Sequence, residues 1–193
     1  QTKRLQVENK WNKKMYLYFG ELKGLNGLFQ IFKYTIMEIL KLVPQAKGTA
    51  NTAFMRWNDK VYALHEGDMP YEIVVDDKAH NISTSHRIHY PNIFSTTAHP
   101  VQDHLRSKLY LYGYNNYDFS DGKFIFNVFD KHMNHLHQRN FSMINNGMTH
   151  DVAFTGDYMI IPDMPLKYDP SRMFRKKLPM YFDKKSGVTR FGI

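Results

Sequence analysis

A chain of 193 residues that is 42% hydrophobic and 23% charged can build a core, which excludes the disordered classes. It has no cysteine, so a disulfide scaffold, a thiolate metal site and a cysteine nucleophile are excluded, and a reducing compartment is compatible. The net charge of +8 admits an acidic partner, but the basic residues are scattered and their densest run, Arg172 to Lys177, is short, so nucleic-acid binding is not expected.

Taken in chain order, residues 1–14 are polar, begin with Gln1 and carry no apolar signal-peptide core. Residues 28–43 are the one convincing helix. Gln30, Lys33, Glu38 and Lys41 fall in one arc of the wheel, and Leu28, Phe29, Ile31, Phe32, Ile36, Met37, Ile39, Leu40 and Val43 cover the rest. Gly24 and Gly27 precede it and Pro44 stops it. This stretch is too short and too interrupted to span a bilayer. It could lie on a membrane surface through its wide apolar face, or pack on its own domain.

From Thr49 onward the period changes to that of strands. Residues 53–57 and 60–64 flank Asn58-Asp59 as a hairpin. Further strands are predicted at 108–114, 123–129 and 132–138, then at 152–154 and 158–161 around the turn Thr155-Gly156-Asp157. After a proline-punctuated loop, 180–182 and 188–191 read as a last hairpin, and the alternating pattern stops at Ile193, as in a piece of something longer. The aromatic content of 15% favours strands. Short strands joined by tight turns predict an all-β sandwich, barrel or propeller, and strands that pair in sequence order suit a propeller blade.

Two histidines stand at strand edges in unusual segments, Thr96-Thr97-Ala98-His99-Pro100 and Thr149-His150-Asp151. Neutral imidazole is the commonest protein ligand for iron, zinc, copper and nickel. The residues alone leave metal ligation and ordinary buried or exposed imidazoles both open. The tract His132-Met133-Asn134-His135-Leu136-His137 puts His135 and His137 on one face of a strand, where a polar hairpin edge is the plainer reading than a zinc site. His65 is expected to point away from Glu66, and His86 and His89 to lie exposed in a loop before Pro91. No glycine-rich phosphate loop, Gly-x-Ser-x-Gly elbow or paired-cysteine zinc pattern is present.

Six motifs in order carry a family resemblance. They are Ala50-Asn51-Thr52; Ala63-Leu64-His65-Glu66-Gly67-Asp68-Met69-Pro70-Tyr71; Ala98-His99-Pro100; His150-Asp151; Pro162-Asp163-Met164-Pro165-Leu166; and Arg190-Phe191-Gly192. Together they resemble the carotenoid cleavage oxygenase family, which includes the retinal pigment epithelium membrane protein, over about residue 28 to the end. The match spans around two-fifths of a family member, so the chain is expected to be an N-terminal fragment.

The resemblance implies one domain, residues 1–193 forming part of a seven-bladed β-propeller, with a helical insertion at about 25–43 and early blades at about 49–193. It implies Fe(2+) on the propeller axis, with His99 and His150 as two of four histidine ligands and the other two beyond Ile193. Glu66 matches a glutamate that accepts the ring N–H of a ligand, here His150, and Thr52 matches a threonine that crowds the vacant iron position. The implied reaction is O2-dependent cleavage of a conjugated C=C bond in an apolar, carotenoid-like polyene, giving two carbonyl products. A minority of the family isomerises retinyl esters instead. The helix at 28–43 corresponds to a membrane-touching insertion, which tips its reading toward a peripheral contact in cytoplasm or plastid. A non-catalytic propeller-derived binding module, or an inactive fragment, is the alternative.

Overall fold

The computed structural model describes residues 1–43, 48–93, 95–114, 123–145, 149–185 and 187–193. Two antiparallel four-stranded meanders dominate it. The first holds β1 (Ala53–Trp57), β2 (Lys60–Leu64), β3 (Tyr71–Asp76) and β4 (Asn81–Arg87), in that order. The second holds β5 (Val101–Asp103), β6 (Lys108–Tyr114), β7 (Lys123–Phe129) and β8 (His135–Ser142), again in order. The predicted Asn58-Asp59 hairpin forms, with Trp57 opposite Lys60 and Asn58 at φ 53°, a left-handed conformation that asparagine tolerates.

Strand alternation decides which residues meet. On β1, Met55 and Trp57 turn inward while Phe54 and Arg56 face solvent, as a period of two requires. Met55, Trp57, Tyr62 and Leu64 of the first sheet join Leu109, Leu111 and Phe129 of the second in one buried cluster. The Trp57 indole N–H donates to the Asp130 carbonyl at 3.0 Å, so the sheets are joined by a polar bond as well as by apolar contact. Burying side chains of this size stabilises each by about 1.5–3 kcal/mol. The outermost strand β8 is exposed throughout.

The third region is less regular. A sheet of order β13-β10-β9 comprises β9 (Ala153–Phe154), β10 (Met159–Asp163) and β13 (Arg190–Gly192). A separate hairpin pairs β11 (Leu166–Tyr168) with β12 (Met180–Phe182) around a short 3-10 helix, Pro170–Arg175. The expected final hairpin between 180–182 and 188–191 is therefore not formed. Tyr181 pairs with Lys167, whereas Phe191 pairs with Pro162. Gly187 crosses so tightly over Pro165 that a Cβ there would lie 2.0 Å from the proline ring. Asn145 then holds the Val188 carbonyl at 2.8 Å and guides the chain onto β10.

Two α-helices precede the sheets. α1 (Lys3–Trp11) was not expected from the polar terminus. The Thr2 side chain caps it by accepting the Leu5 N–H at 3.2 Å, and left-handed Asn12 closes it. α2 (Gly24–Ile39) lies one turn earlier than the predicted 28–43. Gly27 is inside it because a Cβ would meet the Met173 methyl at 2.5 Å, so this glycine serves close packing rather than a helix stop. Lys41 at φ 54° ends it, with the Leu42 N–H returning to the Met37 carbonyl. Both open readings of this helix have a face. Tyr34 packs with Tyr16 and Val43, while Leu25, Phe29, Phe32 and Ile39 remain more than 60% exposed. Among the described residues, no helix is long and apolar enough to cross a membrane.

Candidate metal centre

Three chain segments converge where the sheets meet. The first follows β2, where residues 65–68 turn and present Glu66. Asp68 fixes that turn. Its buried carboxylate accepts the Gly48 N–H at 3.0 Å, the Met69 N–H at 2.8 Å, the Tyr71 hydroxyl at 3.2 Å and the Arg87 Nε at 2.7 Å. A buried carboxylate is tolerated only with such a donor set. The Asp68 carbonyl also accepts the Thr96 N–H at 3.2 Å, which ties the Glu66 turn to the segment bearing His99.

The second segment lies along β6. Its approach requires Gly113, since a Cβ there would stand 2.8 Å from the Ser95 carbonyl oxygen. The His99 N–H donates to Thr97 Oγ1 at 2.8 Å, and the Thr97 N–H donates to the Tyr112 carbonyl. The Tyr112 hydroxyl donates to the His99 carbonyl at 2.9 Å. In the third segment, the Thr149 hydroxyl donates to the Pro162 carbonyl of β10 at 3.0 Å, and Asp151 Oδ1 accepts its neighbour's N–H from Val152 at 2.8 Å.

The result is a cluster of Glu66, His99 and His150, whose candidate ligand atoms all lie within 4.8 Å of one another. The His99 and His150 rings are 4.5 Å apart between centroids and meet edge to face at 64°. The Glu66 carboxylate contacts Nδ1 of His150. Glu66 is shielded, with 16% of its side chain exposed, whereas His150 is 58% exposed. Burial pushes the Tyr112 phenol well above the usual tyrosine range and holds His65 below the ordinary imidazole value.

A divalent ion fits this donor set. With the carboxylate on Nδ1, the tautomer assigned from the partner puts the proton there and leaves the Nε2 lone pair of His150 free to ligate. Metal–imidazole bonds of about 2.0–2.1 Å suit rings this close. Thr52 lies on an exposed bend, and its N–H donates to the Leu64 carbonyl at 3.1 Å, two residues before Glu66.

One of the remaining histidine readings is corrected. His135 rests at 3.1 Å from Asn127 Oδ1, and no other cluster of metal-ligating groups occurs among the described residues. His65 Nδ1 accepts the Gly67 N–H at 2.9 Å. His86, expected in a loop, is exposed on β4, because the polar segment Asn81–Arg87 pairs as a strand with Tyr71–Asp76. Tyr112 and Asp68 escaped the sequence reading altogether. One is among 13 tyrosines, and the other lies inside the Glu66 motif without advertising its ion pair.

The sequence profile of the retinal pigment epithelial membrane protein (RPE65) family matches residues 1–193. The chain belongs to that family. Within it, carotenoid 9,10(9',10')-cleavage dioxygenase 1 of Pisum sativum is 29% identical over 196 residues, covering all of this chain but 36% of the relative. Among solved structures, the lignostilbene dioxygenase of Pseudomonas brassicacearum superposes with a TM-score of 0.70 at 20% identity, over 95% of this chain and 35% of that one. A cobalt-substituted Synechocystis ACO matches with a TM-score of 0.51 at 17% identity, over 74% of this chain and 32% of its own. These likenesses establish a shared sheet-rich fold for this member of the RPE65 family, which spans about a third of the length of its relatives.

Proposed function

We propose that this chain is the amino-terminal part of a non-haem iron oxygenase, in which a seven-bladed propeller carries Fe(2+) on its axis. The observation that supports this best is the convergence of Glu66, His99 and His150 from three separate segments onto one point. His99 and His150 are two of the ion's histidine ligands, and Glu66 orients His150 by holding its Nδ1 proton. Thr52 stands at the end of the sheet that delivers Glu66 and restricts small molecules at the open coordination position. Neutral imidazoles leave the +2 charge uncompensated, which favours an uncharged co-substrate. When bound, ferrous iron would activate O2 toward an alkene with no net change in its own oxidation state, the electrons that reduce O2 coming from the C=C bond that breaks. The overall change breaks one conjugated C=C bond of an apolar, carotenoid-like polyene and places one oxygen atom on each carbon, giving two carbonyl products.

The exposed apolar face of α2, with Leu25, Phe29, Phe32 and Ile39, sits at a membrane surface as a peripheral contact from which such a substrate is drawn. The decisive test is metal and turnover together in the complete protein. His99→Ala and His150→Ala are each expected to lose bound iron and all cleavage, and normal activity in either variant overturns the assignment. The 193-residue chain alone is expected to bind iron weakly, since it brings two histidines of the set. Phe29→Glu combined with Phe32→Glu is expected to abolish sedimentation with phospholipid vesicles. Unchanged sedimentation would remove the membrane contact.

A further inference from the structure

We infer that Tyr112 is a positioning residue for both histidines of the metal centre, an assignment that rests on the reading of His99 and His150 as ligands. Its side chain is fully buried, yet its hydroxyl reaches both segments that carry them. It donates to the His99 carbonyl at 2.9 Å and lies 3.3 Å from Oδ1 of Asp151, the residue after His150. The single phenolic proton is shared between these acceptors. The Thr97 hydroxyl accepts the His99 N–H, and the Thr97 N–H donates to the Tyr112 carbonyl. The backbone of His99 is therefore enclosed in a ring of bonds that runs from its N–H through Thr97 and Tyr112 back to its own carbonyl.

This ring has a consequence for the metal. His99 has its main chain held at donor and acceptor, so its imidazole projects from a fixed base. The same phenol reaches Asp151 at 3.3 Å and so links the two segments that carry the histidines, which flank different sheets. A phenylalanine at 112 would keep the ring's stacked contact with Phe124, at 5.3 Å and 20°, while deleting only the bonds. Loss of a hydrogen bond that orients a metal ligand typically weakens metal affinity about 10- to 100-fold.

The experiment titrates Co2+ into the metal-free complete protein, following the visible absorption of the bound ion, and compares Tyr112→Phe, Thr97→Val and His99→Ala with the wild type. Tyr112→Phe is expected to raise the Co2+ dissociation constant at least about 10-fold and to alter the band shape, an effect larger than the modest fall in metal-free stability that lost buried hydrogen bonds entail. Thr97→Val, which breaks the same ring from the other side, is expected to act in the same direction, and it decides the matter if Tyr112→Phe does not fold. Wild-type affinity and spectrum in these variants would overturn the inference, as would an affinity loss matched by an equal loss of metal-free stability. The His99→Ala arm separates the two levels. If it too binds Co2+ like the wild type, the metal-site reading has failed. If it alone loses binding, only the role of Tyr112 falls.

Discussion

The two histidines that meet in the cluster are held in opposite ways. His99 is fixed through its backbone, by Thr97 on the N–H and Tyr112 on the carbonyl, on a segment laid against a fully paired sheet. His150 is largely exposed, follows the short Thr149 anchor, and has its ring oriented by the carboxylate of Glu66. One histidine is thus held by its main chain and the other contacted at its imidazole. The difference teaches that a site assembled from distant segments does not need equal rigidity in each, provided that one side chain spans them.

The comparison can be broken most forcefully by deleting either imidazole, where the expected loss of iron and cleavage is complete in both cases. The next largest effect should fall on the His99 side alone. Leu109→Ala empties a fully buried position of the sheet beneath that segment and should cost about 2–5 kcal/mol of stability in a urea titration. Stability within 1 kcal/mol of wild type would mean that this core is not the platform described. On the His150 side, Glu66→Gln should weaken iron retention by about 10- to 100-fold. Wild-type iron retention in this variant would show that Glu66 does not act on His150.

The smallest expected effect is a pH dependence in the strap between the two regions. Arg106 donates to Asp103 within its own turn and reaches over to the Gly156 carbonyl at 2.8 Å and to Asp157 at 2.7 Å. The Arg106 backbone N–H, and after it the guanidinium, hold the Asp103 carboxyl below the usual carboxylate range. A depressed folded pKa means that the unfolded chain binds the proton more readily. The stabilisation is therefore present above the unfolded value of about 3.9 and disappears as pH falls through the lower folded one. Asp103→Asn should flatten that part of the acid limb. A wild-type acid profile in this variant would take Asp103 out of the strap.

The sequence disclosed the parts of this molecule whose pattern is local. The β1–β2 hairpin was legible because alternation and Asn58-Asp59 speak within a dozen residues, and β6 and β7 because aromatic and branched residues crowd them. β4 was not, since Asn81–Arg87 is polar and mostly exposed and carries no inward stripe. The β12–β13 pairing failed because adjacency in sequence was taken for adjacency in space, while Gly187 and Asn145 redirect the chain. At the site, the histidines and Glu66 could be named from motifs. Tyr112 could not, because its part depends on which two backbones fold against it.

The partnering of β13 with β10 reaches further than the sheet it completes. Phe191 lies opposite Pro162, and the Pro162 carbonyl receives the hydroxyl of Thr149, the immediate neighbour of His150. During synthesis, then, the second imidazole has no finished foundation until residue 191 has left the ribosome. A nascent chain cleaved after Lys185 would keep all three clustered side chains and yet lose the brace behind one of them.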